Sequence, residues 1–131
     1  MMTKEQHIDY WINTAEEDWT TVGALFAMDR YLHCLNWAHL TLEKLAKAIW
    51  VKKNNDNVPP EKQSITSLLE ASGVELDSEM LQFLTSFNEF QLSNQCPDFM
   101  NYVYKACTKD FTSNELSKVA KVRMFLLTML P

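Results

Sequence analysis

The residues of this chain best suited to chemistry fall on two neighbouring stretches: Asp18 on the first, and His39, Glu43, Lys44 and Lys47 on the second. On a helix, Lys44 and Lys47 are three apart and share a side, so both ammonium groups could meet one phosphate. Asp18 or Glu43 would orient them, and His39 stands one turn before Glu43 and two before Lys47. Such a groove suits a nucleotide. The same five residues can also form an ion-pair network that holds two helices in register, and the charge pattern favours that use. His33 and His39 are six apart, hence on different faces, and no H-E-x-x-H or carboxylate cluster accompanies them. No metal site and no cofactor is expected, and His7 falls in a solvated first turn. Cys34, Cys96 and Cys107 are widely spaced without a C-x-x-C, which reads as free, mostly buried thiols.

These side chains must be positioned by helices, because every apolar repeat in the chain steps by three and four. The first stretch covers residues 4–28, opened by a Thr3/Gln6 capping box, with Trp11, Ala15, Trp19, Val22 and Phe26 as its stripe. The second covers 30–53, with Leu35, Ala38, Leu42, Leu45 and Ile49, and ends in four turn-forming residues, Asn54 to Asn57. A very short link joins them, so an antiparallel hairpin is expected. Asp18 then falls roughly opposite residue 42, which brings an Asp18–Lys44 contact within geometric reach. Pro59 and Pro60 precede a third stretch at 61–71, closed by Gly73. Asp77 caps a fourth at 78–92. Residues 98–107 fit either a short helix or an ordered loop. A Thr112/Glu115 capping box opens the last helix, at 113–129.

Composition narrows the classes. At 131 residues, 47% hydrophobic and 22% charged, the chain makes one domain, residues 1–131, with a single core. Two glycines cannot write a P-loop or a dinucleotide loop. No apolar run is long enough to span a bilayer, and the start lacks the pattern of a secretory signal, so a cytoplasmic location is expected. The net charge of −5 argues against nucleic acid as a high-affinity partner. That charge is unevenly spread: residues 1–29 hold one Lys against six acids, whereas 30–54 hold five basic residues against Glu43. Four Trp, four Tyr and seven Phe are a heavy aromatic load. Trp11, Trp37 and Trp50 do not share one inward stripe, which points to an exposed protein interface.

The segments YWINTAEEDW and DRYLHCLNWAHLTLEKLAKAIW, followed by a Pro-Pro loop and a short leucine-bearing helix, resemble the HEPN family. The closing CPDFMNYVYKACTKDFTSNELSKVAKVRMFLLTML is similar to the same family's last portion, so the likeness runs from Ile8 to Leu130. The resemblance implies a helical bundle that dimerises, binds nucleotides or RNA, and serves as partner of a minimal nucleotidyltransferase. Another branch comprises metal-independent ribonucleases, often toxins of toxin–antitoxin pairs, with an R-x(4–6)-H motif. Here Arg30 is followed by His33 and His39 at other spacings, and Arg123 by no His. Gln63 and Gln95 stand where family members carry His and Arg, while Asp98 is retained. Glutamine offers neither a permanent cation nor a proton donor.

The resulting expectation is an all-α, up-and-down antiparallel bundle of four long helices plus one or two short ones, with no catalytic residues. It would act by association, as a homodimer that holds a nucleotide near Asp18, His39, Glu43, Lys44 and Lys47 and assists a nucleotidyltransferase. The alternatives are a divergent HEPN ribonuclease toxin and a pure protein-interaction module.

Overall fold

A computed structural model describes residues 1–90 and 96–131. Among them are six helices and no strand: α1 (Lys4–Ala27), α2 (Tyr31–Lys53), α3 (Ile65–Glu70), α4 (Ser78–Phe87), α5 (Pro97–Ala106) and α6 (Lys109–Leu127), with a 3-10 turn at Asn88–Phe90. The all-α class is as expected. Three helices are long, at 24, 23 and 19 residues, while α4 and α5 have ten each.

The Thr3/Gln6 capping box forms in both directions: the Gln6 N–H donates to Thr3 Oγ1, and the Thr3 N–H donates to Gln6 Oε1. At its other end α1 closes through the Arg30 N–H, which donates to the Leu25 carbonyl at 2.9 Å. Asp29 adopts a positive φ of 60° to make that reversal, and short polar side chains tolerate this backbone best after glycine. Its carboxylate also accepts the Tyr31 hydroxyl at 2.8 Å. The hairpin follows, and α2 becomes the central element, packed by α1, α6 and α3. Small residues at Ala38, Ala46 and Ala48, all fully buried, let neighbouring backbones approach from several sides. Leu35, Leu42, Leu45 and Ile49 supply the core volume, as their spacing predicts.

On α1 the buried seam is Ala15, Asp18 and Val22. Trp11, Trp19 and Phe26 are only half-buried, because positions 15, 18 and 22 step three and four along one line and place the large rings at its margins. Helix α3 begins later than the sequence suggests. Lys62 turns the chain with a φ of 60°, so the helix starts only after Ser64, whose hydroxyl accepts the Ser67 N–H. It ends as expected at Gly73, φ 73°, with the Val74 N–H on the Leu69 carbonyl. Asp77 caps α4 through the Met80 N–H at 2.8 Å. The segment that fits either helix or loop forms helix α5, Pro97–Ala106, with Pro97 in its first turn and Cys107 as its C-cap.

The start of α6 corrects the expectation. Thr108, not Thr112, is the N-cap, accepting the Phe111 N–H at 3.1 Å. Since α5 ends at Ala106, Thr108 is the first hydroxyl able to cap, and the extra turn carries Phe111 toward Phe90, ring centroids 6.2 Å apart. Thr112 is consequently buried inside the helix, its hydroxyl without a partner among the described residues.

Candidate functional site

The antiparallel hairpin brings Asp18 and Lys44 together. Lys44 Nζ stands 2.7 Å from Asp18 Oδ2. Asp18 is buried in the α1 seam, and Lys44 reaches it from a partly exposed position. The contact is an ion pair rather than an aligned hydrogen bond, since no donor meets that oxygen at hydrogen-bonding angles. Lys47 lies one turn on, 4.0 Å from Glu43 Oε2 and 5.0 Å above the Trp11 ring. Its charge is shared between a carboxylate and an aromatic face, a contact attractive by the ring quadrupole.

His39 does not join them. It is 2% exposed and turned toward α4, its ring 5.9 Å from that of Phe87. Neither ring nitrogen has a hydrogen-bond partner among the described residues. Burial pushes its pKa from 6.5 down to about 4, and the nearby Asn88 side chain opposes that only in part. The ring is thus a neutral core group at neutral pH. Of the five residues read as a groove, the structure unites Asp18 with Lys44 and Glu43 with Lys47, and separates His39 from both.

The arginines differ sharply. Arg123 is engaged: its guanidinium donates to Glu16 Oε2 at 2.6 Å and sits 5.1 Å over the Trp19 ring. This bridge ties α6 to α1. Arg30 is exposed at the N-cap of α2 and lines a pocket of about 380 Å³ together with His33, Tyr104 and Lys105. No local sequence signal points to this pocket. Tyr104 and Lys105 lie in a segment whose sequence fits either helix or loop, and only its folding as α5 brings them beside the hairpin corner. Gln63 is exposed in the loop before α3, and Asp98 is exposed in the first turn of α5. Gln95 lies outside the described residues.

Cys34 and Cys107 are buried, Cys96 is exposed, and all three are free. Burial pushes both buried thiols up to about 11, with Cys107 adding to the effect on Cys34, and Glu115 and Glu89 to that on Cys107. Among the described residues no three His, Cys, Asp or Glu are placed to hold a metal ion, and no helix is long and apolar enough to cross a membrane.

Two further surface grooves border α6. One, about 620 Å³, runs between α4 and α6 past Phe83, Lys118 and Lys121. The other, about 390 Å³, runs between α1 and α6 along Trp19, Gly23, Phe26, Leu116 and Ala120. No curated protein and no solved structure matches this chain. The HEPN domain does match, over residues 8–129. The chain belongs to the HEPN domain family, which suggests a role connected with nucleotides or with ribonuclease-like chemistry.

Proposed function

We propose that this protein is a non-catalytic HEPN protein that works by association: a homodimer that binds a nucleotide and assists a minimal nucleotidyltransferase. The observation that carries the reading is the groove between α1 and α6. Both helices pack on α2, yet between them Trp19, Phe26 and Leu116 stay half-buried around the small residues Gly23 and Ala120. A Cβ added at Gly23 would meet nothing within 4 Å, so the floor of the groove is open there. Met124, 60% exposed, extends the apolar line along α6.

A second copy suits this face because both partners can bring the same half-buried apolar side chains, Trp19, Phe26 and Leu116, to it. A two-fold axis laying one copy's α1 against the other's α6 is self-complementary. Two observations support the absence of catalysis: Arg123 is committed to Glu16 and Trp19, and His39 is sealed and neutral. The Asp18–Lys44 pair then serves as a register lock for the hairpin.

Light scattering on the purified chain tests the association. Twice the mass of one chain is expected for the native protein, and a single mass for Gly23→Lys, which fits the fold but obstructs the groove. A native monomer at tens of micromolar overturns the reading. The accessory role is tested by co-expression with a minimal nucleotidyltransferase, whose capture by the native chain is expected. A divergent ribonuclease keeps one specific observation in its favour: Arg30 and His33 border the same pocket. Cleavage of RNA by the pure protein, lost in His33→Gln, would establish it.

A further inference from the structure

The pocket at the hairpin corner has a charge the rest of the molecule does not explain. Several of the other basic groups are engaged within the fold. Lys44 pairs with Asp18, Arg123 with Glu16, Lys4 donates to the carbonyls of Val51 and Asn54, and Lys52 to that of Met129. Arg30, His33 and Lys105 are exposed and line one concavity from two different helices. Among the described residues none of the three forms a side-chain hydrogen bond or ion pair. Asp29 on the rim brings one carboxylate, which also accepts the Tyr31 hydroxyl, so the two cations leave the lining net positive. Two permanent cations and an imidazole thus stand together in a chain of net charge −5.

We infer that this pocket binds a phosphate monoester, with the phosphate between Arg30, His33 and Lys105. A guanidinium grips two phosphate oxygens with paired N–H donors, an ammonium adds a point charge, and an imidazole N–H adds a third donor. A monoester near neutral pH carries close to two negative charges and three terminal oxygens, so it gains more from two cations and an imidazole N–H than a carboxylate or a diester, which carries one charge. The start of α2 contributes in the same sense, since no side chain caps it and no acid lies in its first turn. At about 380 Å³ the pocket has the volume of a compact ligand. Tyr104, 66% exposed on its wall, offers a ring face and a hydroxyl to the organic part. This deepens the ligand half of the proposed function and rests on it; the oligomer measurement is separate, so either can fail alone.

Phenyl phosphate, titrated into the ¹⁵N-labelled full chain, is the test, with dimethyl phosphate and acetate as comparison anions. Phenyl phosphate is expected to shift the amide resonances of Tyr31, Leu32 and His33. Arg30→Gln and Lys105→Gln should each weaken binding at least tenfold without lowering the melting temperature, and Lys53→Gln at the far end of α2 should not weaken it. Because Arg30 and Lys105 sit on separate elements, either variant suffices if the other folds poorly. The inference is overturned if phenyl phosphate causes no shifts at millimolar concentration. Binding indifferent to both substitutions, or dimethyl phosphate or acetate binding as tightly, overturns it equally.

Discussion

His39 makes the stability of this bundle depend on pH in a way that can be worked out. Its pKa is 6.5 in the unfolded chain and about 4 in the fold, where burial disfavours the cation. The unfolded state therefore binds a proton through a range where the native state does not. A histidine with a depressed native pKa contributes its full stability above about pH 6.5 and loses it as pH falls toward 4. From pH 7 to pH 5 the loss is about 2 kcal/mol, roughly thirtyfold in the folded-to-unfolded ratio, and it levels off at about 3 kcal/mol below pH 4. Since the ring is 2% exposed, solvent screening does not reduce this much.

Urea denaturation across that range, on the native chain and on His39→Leu, isolates the effect. Leucine fills a similar volume and leaves no nitrogen unpaired. Other groups titrate as well: burial raises the Glu115 carboxyl, an influence of opposite sign, with Lys118 opposing it. Those contributions are common to both proteins and cancel in the difference. The native chain should lose stability relative to His39→Leu by about 2 kcal/mol between pH 7 and pH 5. A difference that stays flat, or that grows in favour of the native chain on acidification, would refute a neutral, sealed imidazole and place a partnered, protonated one in its stead.

Lys44→Met leaves the Asp18 carboxylate buried and uncompensated, and should cost about 2–3 kcal/mol in urea denaturation; adding Asp18→Asn should recover much of that loss. Thr108→Ala should cost about 1 kcal/mol as a lost N-cap, whereas Thr112→Val, which removes a buried hydroxyl without a partner, should be neutral or stabilising in thermal melts. A thiol reagent at pH 8 should label Cys96 rapidly, and Cys34 and Cys107 only as fast as the chain opens, because both are buried with pKa values of about 11.

Much of the fold was legible because helix periodicity and end signals are local. Thr3 with Gln6, Asp77 and Gly73 act within a few residues of themselves, and each functions where its type predicts. The errors arose where a local signal had a competitor. Thr108 and Thr112 are both competent caps, and the choice between them was made by where α5 stopped and where Phe111 could be buried, neither of which is written near the threonines. Lys62 delayed α3 by adopting a backbone that nothing in Glu61 to Ser64 demands. Asp18 took a seam position that hydropathy assigns to the tryptophans, and it can do so because Lys44 answers it from the facing helix.

The site was less legible for a reason that follows from the same pairing. Charged residues close in sequence, such as Glu43, Lys44 and Lys47, invite a functional reading, yet helix neighbours are the partners with which charge is most readily neutralised. The hairpin completes that neutralisation through Asp18. A group available to an outside ligand is instead one whose charge the fold leaves unanswered, and this depends on elements distant in the chain. Arg30 and His33 were visible as a pair of the wrong spacing for the family's ribonuclease motif; Lys105, some seventy residues later, had no sequence feature tying it to them. Only the docking of α5 at the hairpin corner puts the three around one concavity. In a bundle that turns several of its basic side chains to carboxylates, ring faces and helix-terminal carbonyls, cations gathered from separate elements around one concavity are a stronger sign of a ligand than a crowded run of charges.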